Sequence, residues 1–123
     1  MKKVKVVLKK AFQKPEIISI PAKLESFQKC VGGWIEAVVP SEKLAERNIV
    51  AYVNEEGKLC GQMPNLWAFD RQDVLVGDVV FVGSDGEGGD ESLTDEDIAA
   101  VLAYCEEMQV TPMEMFLYFA NME

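Results

Sequence analysis

Four consecutive apolar residues, Val79-Val80-Phe81-Val82, closed by Gly83 and preceded by Gly77-Asp78, constrain the fold of this chain more than any other feature. A short apolar run bounded by turn residues is the pattern of a buried strand. Val74 and Val76 lead into it, with a turn or bulge expected at Gly77-Asp78. Other segments supply partners for such a strand. Val4, Val6 and Leu8 alternate with Lys3, Lys5 and Lys9, the period-two signature of a half-buried strand. Pro15 ends that segment, and Glu16–Ile20 reads as a second strand. Trp34–Val39 reads as a third, ending at Pro40, and Ile49–Val53 as a fourth.

Helical signals are fewer and sit at defined places. Pro21 suits the first position of a helix over Ala22–Val31, with Leu24, Phe27 and Val31 on one face and Gly32-Gly33 as the stop. Residues 41–48, SEKLAERN, read as a charged connection. Asn54-Glu55-Glu56-Gly57-Lys58 reads as a hairpin loop, with the chain resuming at Leu59-Cys60. Residues 62–70 show no clean period and read as a helical turn or a loop pinned by Trp67 and Phe69.

Residues 84–93, beginning SDGEGGDE, read as an acidic linker, and two helices follow. Thr94 is the N-cap of the first, with Asp95, Glu96 and Asp97 in its positive first turn. Thr111-Pro112-Met113-Glu114 is a capping box with proline at the first position of the second. The expected architecture is one α+β domain over residues 1–123. It has a mainly antiparallel sheet of four to six strands, one early helix and a C-terminal helical pair.

Composition excludes several classes of function. The chain contains no histidine, so Ser-His and Cys-His catalytic arrangements are excluded, along with the commonest zinc ligand. Cys30, Cys60 and Cys105 are isolated and odd in number, which favours a reducing cytoplasm over a secreted disulfide framework. The opening MKKVKVVLKKAF lacks the apolar length and small-residue site of an export signal. No stretch is long enough to span a bilayer. A calcium loop starting at Asp85 would place Glu87 and Glu96 correctly, but it sets Gly89 and Asp90 where the motif wants a ligand and then a glycine. The glycines from Gly83 to Gly89 lack the Lys-Ser or Lys-Thr of a phosphate loop. No metal, cofactor or catalytic residue is therefore expected.

The net charge of −9 is distributed unevenly. Residues 1–30 hold eight Lys against Glu16 and Glu25, whereas residues 84–123 hold eleven Asp or Glu and no Lys or Arg. Direct nucleic-acid binding across the acidic part is disfavoured, because phosphate contacts need Lys and Arg. A basic protein surface is the partner such a region would steer toward. The last helix carries Met113, Met115, Phe116, Leu117, Tyr118, Phe119 and Met122, more apolar surface than one contact face can cover. Met115, Phe116, Tyr118, Phe119 and Met122 are the interface candidates, toward a protein partner or a second copy. A membrane surface is a poor fit, since such helices carry Lys and Arg.

Three blocks carry a resemblance to a known family. They are Val31-Gly32-Gly33-Trp34-Ile35-Glu36 running on to Val38-Val39-Pro40, then Val53–Leu59 with Gly61 and Pro64-Asn65, then Val76–Gly83 followed by Ser92–Asp97. In this order they resemble the small bacterial proteins grouped as domain of unknown function 3846, over about residues 4–107. The resemblance implies an accessory protein of bacteriophages, plasmids or conjugative elements, and implies no reaction. The chain departs from it after Met108, so the Thr111–Glu123 helix looks like an added tail.

Within the resembling part, a shared surface is expected around Asn54, Glu55, Gly57, Pro64 and Asn65, where a rigid hairpin could present polar groups, with Trp67 nearby to stack on a ring. The expected function is non-catalytic protein binding. A counter-defence inhibitor whose acidic face fills a nucleic-acid-binding groove on a host protein is its specific form. A small-ligand domain, for a nucleotide or metabolite, and a homodimeric module held by Pro112–Met122 are the alternatives.

Overall fold

The apolar run Val79–Val82 lies at the heart of a six-stranded antiparallel sheet. The computed structural model describes residues 2–121, and its elements follow in chain order: β1 (Lys3–Lys9), β2 (Glu16–Pro21), α1 (Leu24–Val31), β3 (Ile35–Val38), α2 (Glu42–Glu46), β4 (Ile49–Asn54), β5 (Pro64–Ala68), β6 (Asp73–Val76), β7 (Val79–Ser84), β8 (Asp90–Glu91), α3 (Asp95–Met108) and α4 (Pro112–Ala120). The sheet order is β2-β1-β7-β4-β3, with β8 also pairing β7, and β5-β6 form a separate two-stranded sheet. The sheet is antiparallel throughout, with a C-terminal helical pair, as the alternating and capped segments predict.

Strand β7 is buried because both of its faces are covered. Val80 and Val82 face Val4, Val6, Leu8, Phe27 and Val31, under α1. Val79 and Phe81 face the other way, onto Val7, Ala51, Leu66, Leu75, Val101 and Tyr104. That second core is closed by α2, α3 and the small sheet. The register sets Phe81 beside Val7 on one side and Ala51 on the other, so large and small side chains alternate across the layer.

Several segments differ from the sequence reading, each for a local reason. Pro21 ends β2, and α1 starts only at Leu24 with Lys23 as N-cap, because the antiparallel register pairs Pro21 with Lys3. Residues 42–46 form a short helix, which Ser41 caps by accepting the Leu44 N–H at 3.2 Å. Leu59-Cys60 is not the return strand of a hairpin: β4 pairs with β3 and β7, and residues 55–61 are turns. Residues 64–68 form a strand rather than a loop.

The Val74–Val82 stretch is divided between two sheets at Gly77, whose φ of +71° permits the change of direction. Within residues 84–93, Asp85 gathers the loop by accepting the N–H groups of Glu87 and Gly89, and β8 returns to pair with the end of β7. Both C-terminal helices carry reciprocal capping boxes, Thr94 with Asp97 and Thr111 with Glu114.

Candidate functional site

The structure disperses the residues that sequence placed on one hairpin surface. Asn54, at the end of β4, donates from Nδ2 to the Val31 carbonyl and accepts the Glu56 N–H on Oδ1, so it ties the end of α1 to the following turn. Gly33 packs so close that an added Cβ would lie 2.8 Å from Asn54 Nδ2. Gly57 is a close-approach position: a Cβ there would lie 2.9 Å from Val76 Cγ2 and 3.0 Å from Gln62 Oε1. Glu55 is exposed and lines a groove of about 430 Å³ between β3 and β6. Glu36, Lys58 and Asp73 share that groove, with Lys58 and Asp73 paired at 2.6 Å. Its lining contains no Ser, Thr, Cys or His.

Pro64 and Asn65 lie in the core, and Asn65 has no exposure at all. Asn65 holds the two sheets together: its Nδ2 donates to the Lys9 and Gly77 carbonyls, each at 2.8 Å, and its Oδ1 accepts Lys9 Nζ at 2.9 Å. Lys9 is only 1% exposed, and its ammonium also donates to the Lys10 carbonyl. Burial holds this ammonium below its ordinary value, opposed by the Cys105 and Asp78 groups. Burial likewise pushes the neighbouring Cys105 thiol up to about 12, so it is no nucleophile at neutral pH. Sequence alternation had grouped Lys9 with the solvent-facing Lys3 and Lys5. Val7, in the same phase, was the one sign that this face becomes buried toward the strand's end.

Trp67 lies under α4. Its ring belongs to a third apolar cluster with Val74, Val76, Val110, Met115 and Tyr118, and the Arg71 guanidinium lies 6.0 Å from the ring centroid. Arg71 pairs with Glu114 at 3.1 Å and donates to the Glu107 carbonyl. The Glu114 carboxyl is held below its usual range, first by the Thr111 N–H of the capping box, with the Trp67 indole and Arg71 adding to it. The indole Nε1 lies close enough to favour that charge, yet its geometry closes no hydrogen bond. The Tyr104 hydroxyl donates to the Trp67 carbonyl, joining α3 to β5.

The other side of α4 is uncovered. No described residue of this helix is fully buried; Met115 and Tyr118 are half-buried against the small sheet. Met113 and Phe116 are each 67% exposed, and Leu117 and Phe119 are exposed beside them. Of the interface candidates, Met115 and Tyr118 thus anchor the helix, Phe116 and Phe119 face outward, and Met122 lies outside the described residues. Along the chain, α3 and α4 carry Asp95, Glu96, Asp97, Glu106, Glu107 and Glu114 and no Lys or Arg, and Arg71 reaches across to pair with Glu114.

These features define a small α+β domain, a six-stranded antiparallel sheet between α1 and an α2/α3/small-sheet layer, with a further helix mounted on the small sheet. The chain belongs to the family described as Domain of unknown function (DUF3846), whose match covers residues 1–108. The three resembling blocks fall within that span, and α4 falls beyond it. No curated protein and no solved structure matches the chain. No helix among the described residues is long and apolar enough to cross a membrane.

Proposed function

We propose that this chain is a non-catalytic accessory protein of a bacterial mobile element, acting by docking a partner protein on α4. The observation that carries this reading is the outward face of α4. Met113, Phe116, Leu117 and Phe119 stand exposed on a helix whose opposite side already seats on Trp67, Val74, Val76 and Val110. Contiguous apolar surface of this kind marks interaction sites on folded proteins. Methionine and phenylalanine on a helix suit insertion into an apolar groove.

The charge pattern selects the partner. Eleven carboxylates and no cation in residues 84–123 call for a groove edged by Lys and Arg. A nucleic-acid-binding host protein has that character, and a counter-defence inhibitor filling its groove is the specific form we favour. Each copy would bring Glu106, Glu107 and Glu114 on the end of α3 and on α4 with no Lys or Arg on either helix, so charge argues for a different partner over a homodimer.

The test uses tagged chain immobilised at low salt with bacterial host lysate, alongside Phe116→Glu and Leu117→Glu variants. A stoichiometric protein held by the parent chain, lost from both variants and released as salt shortens the screening length below about 8 Å, is the expected result. Equal retention by parent and variants would refute the assignment to α4.

A further inference from the structure

The main sheet ends in an open edge beside the groove between β3 and β6. Strand β3 pairs with β4 alone, and no described strand lies on its other side. The Glu55 N–H donates to the Trp34 carbonyl at 2.8 Å, which extends the β3–β4 register by one residue pair. Bonded pairs alternate along an antiparallel ladder, so the backbone groups of Trp34, Glu36 and Val38 turn toward β4. The N–H and C=O groups of Ile35 and Ala37 therefore point to the open edge. Ala37 is exposed there and lines the groove. Such edges are commonly blunted by lysine, proline or a bulge, and Ile35–Val38 has none of these.

The groove face of this edge carries charge without a counter-ion. Glu36 lies opposite Val53, so Glu55, two residues along, is its diagonal neighbour on the same face, about 7–8 Å away. Neither carboxylate is in an ion pair among the described residues. Lys58, the cation of the lining, is already held by Asp73 at 2.6 Å. Between these groups the groove is floored by Val74, Leu75 and Val76.

Backbone strain fixes one wall. Phe69, Asp70 and Arg71 have φ of +53°, +54° and +68°, three left-handed residues in a row, each unfavourable for a residue with a Cβ. The Phe69 N–H donates to the Pro40 carbonyl at 2.9 Å, which ties this turn to the end of β3. Its side chain stays 45% exposed on the groove, with exposed Val39 and Leu59. Strained residues of this kind cluster at ligand clamps, and here the strain presents an aromatic side chain that is left unburied.

We infer that this groove takes an extended segment of a partner protein, in which apolar residues alternate with Lys or Arg, added as a further strand to β3. Ile35 and Ala37 supply the main-chain ladder. The basic side chains lie on the groove face, with their stems across Val74 and Leu75 and their cations at Glu36 and Glu55. The apolar side chains fall on the opposite face, beside Ile35 and Ala37. A second copy pairing through β3 would bring its own Glu36 to this face, so charge selects a basic segment over self-pairing. The lining lies wholly inside the family match, whereas α4 lies beyond it. The site therefore holds whether or not α4 docks a partner.

The test is amide NMR of the full chain with a capped heptapeptide of alternating valine and lysine. Two controls accompany it: the alternating valine–glutamate peptide, and the valine–lysine peptide N-methylated throughout, which cannot complete a ladder. The parent peptide should give saturable shifts at Glu36, Ala37, Val38 and Glu55 and slow hydrogen exchange at the Ile35 and Ala37 N–H groups. Neither control should do so. Glu36→Gln and Glu55→Gln should each weaken binding about two- to fivefold, the range of an exposed ion pair. Ala37→Pro should abolish binding yet keep the β3–β4 pairing, because the Ala37 N–H faces away from β4. No saturable shifts, equal binding by either control, or shifts without slowed exchange at Ala37 would overturn the inference. So would slowed exchange at Ala37 on raising protein concentration alone, since a second copy would then fill the edge.

Discussion

Replacing Asn65 with alanine should destabilise the protein by about 4 kcal/mol, a large share of the 5–15 kcal/mol typical of a domain. The figure follows from the bonds lost. Asn65 Oδ1 accepts from the buried Lys9 ammonium, and losing such a charged partner costs about 1.5–3 kcal/mol. Its Nδ2 serves the Lys9 and Gly77 carbonyls, and weakening two buried acceptors adds about 1 kcal/mol each. Lys9→Met should cost less, about 1–2 kcal/mol, because it removes the charge along with its bonds and leaves only the Asn65 Oδ1 and the part-buried Lys10 carbonyl short of a donor. The double variant should then be more stable than the sum of the singles predicts, by about 1.5 kcal/mol or more.

Urea unfolding at neutral pH measures all three. Lys9 also carries a pH signature. Its folded value lies below the ordinary 10.5, so in that interval the unfolded chain binds more protons and this group's contribution to stability grows with pH. Lys9→Met should abolish that growth relative to the parent chain. Additive single effects, or a cost below about 1 kcal/mol for Asn65→Ala, would refute the reasoning.

Three further outcomes are expected. Gly77→Ala should cost about 2 kcal/mol or more by chemical denaturation, because φ is +71° and the new Cβ would collide with the Gln62 side-chain carbonyl. Asp97→Asn should cost about 1 kcal/mol at pH 7, through the α3 capping box and the Arg47 pair at 2.8 Å. Burial works against the Asp97 charge, yet the Thr94 and Arg47 contacts hold the carboxyl below its ordinary 3.8. The parent chain's advantage is therefore complete above that value and vanishes as pH falls through the lower folded one. Phe116→Glu should leave the melting temperature nearly unchanged, whereas Tyr118→Ala, which strips a residue from the Trp67 cluster, should lower it by several degrees.

The fold was legible where pattern and burial agree. Val4-Val6-Leu8 and Val79–Val82 gave their strands, and Thr94 and Thr111 marked both C-terminal helices through side chains that do cap them. The reading failed where tertiary packing decides. Residues 64–68 lack alternation because four of the five are buried, Asn65 among them, so no period could appear. Leu59-Cys60 has strand propensity, but β4 already has partners on both edges. Asn65 as an exposed recognition group rested on turn chemistry, and nothing local reveals that a lysine 56 positions earlier buries its ammonium there. The excess apolar character of α4 was readable directly, since no helix of that size can hide all of it.

The proposed role of α4 is that its outer face meets a partner protein. A photo-crosslinking amino acid placed at Phe116 in the full chain, expressed in a bacterial host, tests this most directly, with the same group at exposed Lys14 as control. A single heterologous adduct at position 116, absent at position 14 and diminished by raising salt in freshly lysed cells, is the predicted result. Adducts with a second copy only, or identical products from both positions, would contradict it.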